Sequence, residues 1–147
     1  MRILVVGMGL IGGSICKSIK AATSHAVYGC DVQQAVLDDA IADGAIDGTG
    51  TMTDGTYDMI ILCLHQRIAI QMVQEALPKI PAGTILVDTC GLKGRMVRDL
   101  TYRCRKADVR YVGTHPMAGR EKNGYYASIP NLFQNANLIV TPVDGTD

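Results

Sequence analysis

The chain has 147 residues, which is enough for one domain and not comfortably enough for two. Hydrophobic residues make up 48% and charged residues 19%, so a packed core is feasible and extensive disorder is not expected. Because 14 Lys and Arg residues balance 14 Asp and Glu residues, the net charge provides no general attraction to nucleic acid or to an anionic membrane. No apolar run is long enough to cross a bilayer, so we expect neither a nucleic-acid nor a membrane partner.

The five cysteines are an odd number, and they are scattered without a CxxC pair or a histidine at zinc-ligand spacing. Several of them lie in apolar runs, where cysteine behaves as a small hydrophobic residue. This usage predicts no metal site and favours a reducing, cytoplasmic compartment.

Short aliphatic runs alternate with stretches of helical periodicity along the chain. In chain order, the pattern predicts strands at 3–6, 26–30, 44–47, 59–64, 84–87, 109–112 and 138–140, and helices at 10–21, 33–42, 68–77 and 92–106. Strands of continuous apolar character that alternate with helices are typical of a parallel sheet covered on both faces. We therefore predict an α/β fold of the Rossmann type, a doubly wound and mostly parallel sheet with helices on both faces.

Residues 7–12 read Gly-Met-Gly-Leu-Ile-Gly and match the GxGxxG pattern between the first predicted strand and the first predicted helix. In a dinucleotide-binding turn, the first glycine permits the tight turn and the second lets a pyrophosphate approach the backbone. The third lets the helix pack closely on the strand. These roles would fall on Gly7, Gly9 and Gly12.

A further element of the dinucleotide pattern is an acid at the end of the second strand, and Asp31 stands there, 24 residues after Gly7. Its carboxylate can accept hydrogen bonds from both ribose hydroxyls and would repel a 2′-phosphate, which favours NAD over NADP. The amide groups of the first helical turn, which contains Leu10 and Ile11, would bind the phosphates. The alternative is a tight turn followed by a surface aspartate, with no cofactor.

Polar residues also follow other predicted strands, whose carboxyl ends share the edge of the sheet where ligands bind. His65 could contact the ribose or the nicotinamide of a cofactor, or it could be an ordinary polar loop residue. Asp88 could contact the cofactor from the same edge, or it could cap the helix that carries Lys93. Lys93 and Arg95, near the start of that helix, oppose the helix dipole. This indicates either that one of them has a partner, such as an anionic ligand, or that both are solvated surface residues.

His115 follows the strand predicted at 109–112 and is itself followed by Pro116. The proline biases the histidine toward extended backbone geometry, so the backbone would aim the ring. Facing a nicotinamide, the imidazole could take a proton from an alcohol as hydride leaves the same carbon, which is general-base catalysis. The alternative is a histidine that only forms a hydrogen bond in a tight turn.

The motifs around these residues are similar to those of a known family. The segments GTHPMAGREKNGYYAS and LFQNANLIVTP, the GMGLIGGS turn and the VDTCGLKG segment resemble the prephenate dehydrogenase family, which has arogenate dehydrogenase relatives. The resemblance implies NAD-dependent oxidative decarboxylation of prephenate or arogenate in tyrosine biosynthesis. It places the family's catalytic histidine on His115 and its ribose-binding acid on Asp31. Its cofactor glycines fall on Gly7, Gly9 and Gly12.

Three features depart from the family pattern. The family usually has a serine near the catalytic histidine, in an Asp-x-x-Ser-x-Lys segment, and the matching residue here is Gly91, which offers no hydroxyl. His65 stands where the family commonly has a proline beside the nicotinamide. The family also continues into a helical domain that forms a dimer and binds the substrate carboxylates with arginine, whereas residues 1–147 resemble the dinucleotide-binding domain alone.

We therefore expect NAD binding with weak or no turnover by this chain alone, and a homodimer or a separate helical domain as partners. Two other interpretations stay open. One is a stand-alone dinucleotide-binding module that senses or regulates without catalysis. The other is a related short NAD(P)-dependent dehydrogenase or imine reductase, against which the His-Pro-Met-Ala-Gly run at 115–119 argues.

Overall fold

The fold is built on one seven-stranded sheet. A computed structural model describes residues 1–55 and 57–143. The strands are β1 (Arg2–Val6), β2 (Ala26–Cys30), β3 (Gly48–Thr49), β4 (Met59–Leu62), β5 (Ile85–Asp88), β6 (Arg110–Pro116) and β7 (Leu138–Thr141). The helices are α1 (Leu10–Ala22), α2 (Gln34–Ala42), α3 (Gln66–Ala76) and α4 (Gly94–Lys106), with 3-10 turns at Leu77–Lys79 and Tyr125–Ala127.

The strand order across the sheet is β3-β2-β1-β4-β5-β6-β7. The first six strands are parallel, and β7 runs antiparallel to β6 at one edge. The chain winds outward from β1 to β3 and then crosses to β4 on the other side of β1. In an open parallel sheet, such a reversal leaves a crevice at the carboxyl ends of the strands, where ligands bind. The predicted Rossmann-type α/β fold is confirmed.

Two hydrophobic cores lie on opposite faces of the sheet. Successive residues of a strand point to opposite faces, so Leu4 and Val6 of β1 join the core under α3 and α4. Ile3 and Val5 join the core under α1 and α2. Both sets of side chains are buried, and each such aliphatic side chain contributes about 1.5–3 kcal/mol by leaving water. Burial on both faces explains why the strands read as continuous apolar runs.

Helix α4 shows how the sequence pattern fixes a packed face. Met96, Leu100 and Cys104 are spaced by four residues and are fully buried, so they form one apolar stripe against the sheet. Arg103, Arg105 and Lys106 lie in its last turn, where cations interact favourably with the helix dipole. No helix within the described ranges is long and apolar enough to cross a membrane.

The short strand predicted at 44–47 is wrong, because those residues complete the turn that ends α2. Gly44 has a φ of 69°, in the left-handed region, and the amides of Ala45 and Ile46 both donate to the carbonyl of Ala40, at 2.9 and 3.3 Å. Ala45 and Ile46 are buried in the core rather than paired in the sheet. The third strand is therefore β3, which begins only at Gly48.

The edge of the sheet near the His-Pro motif also differs from the prediction. The strand predicted at 109–112 continues through Pro116, because β7 pairs with its second half and places Ile139 opposite His115. His115 therefore lies within β6, in the extended conformation predicted for the residue before proline. The strand predicted to end at Leu64 ends at Leu62, and α4 begins two residues later than predicted.

Candidate functional site

The turn between β1 and α1 requires glycine at two positions. Gly7 has a φ of 92°, and a Cβ built on it would stand 2.5 Å from the carbonyl oxygen of Cys63. A Cβ on Gly12 would stand 1.9 Å from the carbonyl oxygen of Gly7. Both positions therefore exclude any side chain unless the backbone moves, as expected for a tight turn and for close packing of helix on strand.

Gly9 differs from both because it faces open space. Within the described ranges, a Cβ built on it has no atom within 4 Å apart from those of its two neighbours in the chain. The amides of Leu10, Ile11 and Gly12, in the first turn of α1, donate to no backbone carbonyl of the residues that the structure describes. That turn also carries no acidic side chain. Unpaired amides at a helix start beside an open backbone form a site for an anion, and they fit the pyrophosphate of a dinucleotide.

Asp31 lies one residue beyond β2, at the same edge of the sheet. Its carboxylate accepts hydrogen bonds from the amide of Met8 at 2.7 Å and from the amide of Gln33 at 2.9 Å. The first bond ties the acid to the glycine turn. Each carboxylate oxygen has a second lone pair, so the group can hold the turn and still accept a bond from a ligand hydroxyl.

His65 is exposed and caps the start of α3. Its Nδ1 accepts a long hydrogen bond of 3.4 Å from the amide of Arg67. The next residue, Gln66, donates from its side-chain amide to the carbonyl of Leu92 at 2.8 Å, which connects the start of α3 to the loop that follows β5. His65 therefore lies at the carboxyl edge of the sheet, as the strand ends predict.

His115 is half-buried and its ring faces Gly91. A Cβ built on Gly91 would stand 3.3 Å from Nε2 of the ring. Neither neighbouring side chain replaces the missing serine hydroxyl. The hydroxyl of Thr89 donates to the carbonyl of Leu62 at 3.1 Å, and the thiol of Cys90 donates to the carbonyl of Leu64 at 3.4 Å.

Asp88 does not cap α4, so that alternative is wrong: the helix begins at Gly94 and its N-cap residue is Lys93. The Asp88 side chain is fully buried and forms an ion pair with Nζ of Lys93. It also accepts hydrogen bonds from the amide of Cys90 at 2.8 Å and from the hydroxyl of Tyr111 at 2.7 Å. These donors surround a carboxylate that is fully buried, so it offers no exposed oxygen to a ligand, and the predicted contact of Asp88 with the cofactor is not seen.

The partner of Lys93 is therefore an acid of the same chain. The unfavourable position of a cation at a helix start was the signal for this pair. Nothing in the sequence indicated that Tyr111 and Thr114 join the same cluster, since a tyrosine and a threonine in a buried strand are usual core residues.

Burial raises the pKa of all five cysteine thiols. All five are free thiols. Burial, followed by the charge of Asp88, raises the pKa of Cys90 to about 11, and burial raises the pKa of Cys104 to about 12. A thiol with such a pKa is protonated at neutral pH and is a poor nucleophile. Within the described ranges, no cluster of His, Cys, Asp and Glu could hold a metal ion.

The fold and the site together define a class of protein: a dinucleotide-binding α/β domain with a histidine at the carboxyl edge of its sheet. The family model described as "Prephenate dehydrogenase, nucleotide-binding domain" matches residues 15–147. The chain belongs to this family.

Relatives and solved structures agree with this assignment. The prephenate dehydrogenase of Lactococcus lactis subsp. cremoris is 31% identical over 144 residues, which are 95% of this chain and 40% of the relative. A crystal structure of prephenate dehydrogenase from A. aeolicus, in complex with hydroxyphenyl propionate and NAD+, has a TM-score of 0.90 at 30% identity and covers 100% of this chain. Synechocystis arogenate dehydrogenase has a TM-score of 0.88 at 27% identity, also over 100% of this chain.

The chain is shorter than the proteins it matches. It spans 40% of the Lactococcus relative and 52% of each of the two solved chains, which is about half their length. Family membership therefore covers the nucleotide-binding half of such proteins.

Proposed function

We propose that this chain is the NAD-binding part of an oxidoreductase that decarboxylates prephenate or arogenate in tyrosine biosynthesis. The observation that carries the proposal is the shared edge of the sheet. The open backbone at Gly9 and the imidazole of His115 both lie at the carboxyl ends of parallel strands. The family assignment supports the same reaction class.

The residues of the glycine turn would hold the cofactor. The amides of Leu10, Ile11 and Gly12 would donate to the pyrophosphate, and Gly9 would let it approach the backbone. Asp31 would accept hydrogen bonds from the adenosine ribose. His65 would contact the ribose or the nicotinamide from the start of α3. When bound, NAD would supply the hydride acceptor for the reaction.

His115 would act on the substrate hydroxyl. Its Nε2 is the ring nitrogen that faces Gly91, and it would accept the hydroxyl proton as the ring carbon loses hydride and the carboxylate leaves as carbon dioxide. Formation of the aromatic ring favours this step, so the protein mainly has to orient its ligands.

Substrate binding would need further groups. Two cations close to His115 already have partners in this chain. Lys93, two residues after the Gly91 that lies against the ring, pairs with Asp88, and Arg120, five residues after His115, donates to the carbonyl of Ala127 at 2.7 Å. We therefore propose that this chain binds NAD but turns over weakly or not at all alone. A homodimer or a separate helical domain would supply the groups that bind the substrate carboxylates.

One observation favours a second function. Gly91 offers His115 no hydroxyl partner, and this is consistent with a nucleotide-binding module that senses or regulates without catalysis.

A paired experiment tests these proposals. Calorimetric titration with NAD and NADP should show binding of NAD and weaker binding of NADP. An assay of NADH formation with prephenate, and then with arogenate, should show little or no turnover by the chain alone. Absence of NAD binding would contradict both functions, and turnover at rates typical of intact enzymes would contradict the need for further groups.

A further inference from the structure

A buried ion pair lies behind the loop that contacts His115. The carboxylate of Asp88 at the end of β5 is fully buried, whereas the Lys93 side chain is 16% exposed. The Asp88 carboxylate also accepts hydrogen bonds from the amide of Cys90 and from the hydroxyl of Tyr111. The backbone carbonyl of Asp88 accepts a further bond, 2.6 Å long, from the hydroxyl of Thr114.

These bonds connect the loop that lies against the imidazole to the strand that carries it. The bonds from Cys90 and Lys93 fix the loop at 89–93, which contains Gly91. The bond from Thr114 fixes β6 at the residue before His115. Gly91 in turn lies against the ring, since a Cβ built on it would stand 3.3 Å from Nε2.

Gly113 shows that this part of β6 is shaped around the ion pair. A Cβ built on Gly113 would stand 3.3 Å from Cδ of Lys93 and 3.5 Å from Oδ2 of Asp88. The first distance is tighter than ordinary van der Waals contact. A glycine at this position lets the lysine stem pass close to the strand.

A buried ion pair seldom increases stability over well-packed apolar residues, because both charges lose their hydration. Removal of one partner is different, since it leaves one buried charge uncompensated. In this protein that charge would lie one loop away from the imidazole. A change in the pair would therefore act on the loop beside the ring and on the charge near it.

We propose that Asp88 and Lys93 are positioning residues for His115. The pair holds the loop at 89–93 against the imidazole and keeps the surrounding charge balanced, so that the ring can gain and lose a proton in place. The purpose of this arrangement rests on the proposed function, whereas its test reads the ring directly and needs no turnover.

Other groups near the ring must be accounted for in such a test. Strand β7 carries no titratable side chain opposite His115. Burial, and next the hydrogen bond to Asp88, raises the pKa of Tyr111, and the pKa of Cys90 is raised to about 11, so both stay protonated through the neutral range. Other charged or titratable groups at this edge of the sheet lie at the start of α3, in the first turn of α4 and after β6: His65, Arg67, Arg95, Arg120, Glu121 and Lys122.

The experiment is a pH titration of the three histidine rings by nuclear magnetic resonance. The chain contains only His25, His65 and His115, so each ring signal can be assigned by single substitution. In Asp88→Asn, the uncompensated Lys93 cation should lower the pH at which half of the His115 rings are protonated. In Lys93→Met, the uncompensated Asp88 carboxylate should raise it. Each shift of the His115 midpoint should be roughly half a pH unit. The midpoint in the double variant should lie between those of the two single variants.

A matched pair elsewhere in the fold provides the control. Lys20 and Asp47 form an ion pair of 2.6 Å, and Asp47 also accepts the amide of Val27 at 2.8 Å, so the chemistry is similar. Asp47→Asn and Lys20→Met should leave the His115 titration within about 0.1 pH unit of the unmodified chain, because distant charges are screened. His25 should titrate alike in the unmodified chain and in the Asp88 and Lys93 variants.

Position is read separately from charge. The unmodified chain should show a nuclear Overhauser contact between the His115 ring and the Hα atoms of Gly91, and Asp88→Asn should weaken it. Opposite shifts of the titration in the two single variants support the proposal. Shifts of the same sign, or no shift in folded variants, overturn it.

A conservative substitution keeps the test decisive if Asp88→Asn does not fold. Lys93→Arg retains the cation, so His115 should titrate in this variant as it does in the unmodified chain. In Lys93→Met, the His115 titration should be shifted. Equal titration of His115 in these two variants would overturn the proposal. The proposed NAD binding is tested separately, by calorimetric titration, so the failure of one proposal can be distinguished from the failure of the other.

Discussion

Gly91 lies directly against the imidazole of His115. A Cβ on Gly91 would stand 3.3 Å from Nε2 and 3.4 Å from Cε1 of the ring, distances that need a shift of only a few tenths of an ångström. A hydroxyl carried by that Cβ would come within hydrogen-bonding distance of Nε2. The ring therefore has room for a serine partner that this sequence does not provide.

Gly91→Ser should supply that partner. We expect the serine hydroxyl to bond to Nε2 in the absence of substrate and so to shift the nitrogen resonance of His115. With prephenate bound, the hydroxyl would bond to the substrate hydroxyl instead and leave Nε2 free to accept its proton, so we expect any NADH formation to rise by roughly threefold or more. Gly91→Ala is the matched control, because it adds the same Cβ without a hydroxyl. Equal resonances and rates for the two variants would show that the hydroxyl has no effect on this ring.

Gly9→Ala and Gly12→Ala should separate nucleotide binding from folding. The Cβ on Gly12 would collide with the carbonyl of Gly7, so Gly12→Ala should lower the free energy of unfolding by roughly 1–3 kcal/mol. Gly9→Ala meets no atom beyond its chain neighbours, so it should lower that free energy by less than about 1 kcal/mol, the cost of replacing glycine by alanine at the N-cap of α1. Its methyl group would instead occupy the space proposed for the pyrophosphate and weaken NAD binding about tenfold or more.

Urea denaturation measures the first quantity and calorimetric titration with NAD the second. A stability loss in Gly9→Ala as large as that in Gly12→Ala would contradict the open space at Gly9. Unchanged NAD affinity in a folded Gly9→Ala variant would place the pyrophosphate elsewhere.

The sequence predicted the sheet and the edge that carries the site, because both depend on short-range patterns. Continuous apolar strands, helical stripes and the glycine turn are visible within a few residues of one another. The third strand was misplaced because Ala45 and Ile46 are as apolar as strand residues, while their amides close a helix. Hydrophobic periodicity does not distinguish these two uses.

The contacts of Asp88 could not be predicted for a different reason. Its partners Tyr111 and Thr114 lie more than 20 residues away, on a strand whose register against β5 is a property of the whole fold. The pattern of strand ends placed Asp88 at the correct edge. The pairing of β5 with β6 places Tyr111 and Thr114 beside Asp88, so its carboxylate is buried in the protein instead of exposed at the crevice.

Asp31→Asn should relax the preference for NAD. Asparagine keeps an oxygen that can accept the amide of Met8, so the glycine turn should stay intact. The loss of negative charge removes the repulsion toward a 2′-phosphate, so the affinity for NADP relative to NAD should rise about tenfold. Asp58→Asn is a suitable control, since Asp58 accepts the amide of Arg2 at the other end of β1. A variant that binds both nucleotides in the original ratio would exclude Asp31 from the ribose site.

His115→Asn and His65→Asn should affect different quantities. His115 is proposed to act on the substrate, so its replacement should leave the Kd for NAD nearly unchanged and lower the rate of prephenate oxidation by about a hundredfold or more in a protein that turns over. His65 is proposed to contact the cofactor, so its replacement should mainly raise the Kd for NAD. Calorimetry and steady-state kinetics on both variants distinguish the roles. A large loss of NAD affinity in His115→Asn would make that histidine a cofactor ligand.

Tyr57 should make the stability of the fold depend on alkaline pH. Burial, followed by the hydrogen bond of 3.1 Å from its hydroxyl to Asp54, raises the pKa of Tyr57 to about 12. The folded chain therefore favours the protonated phenol. The contribution of Tyr57 to the free energy of unfolding is fully present below the ordinary tyrosine pKa of 10.0, and it is lost as the pH rises from there to about 12.

Tyr57→Phe keeps the edge-on contact with the ring of Tyr28 and removes only the hydroxyl. At pH 8 the variant should be less stable by about 1 kcal/mol, the usual contribution of one hydrogen bond. Above pH 10 the difference in free energy of unfolding should shrink, because only the unmodified chain can ionise at this position. Urea denaturation across this range measures the difference, with Tyr102→Phe as a control whose ring is 72% exposed. A constant difference from pH 8 to pH 12 would show that ionisation of Tyr57 is not linked to folding.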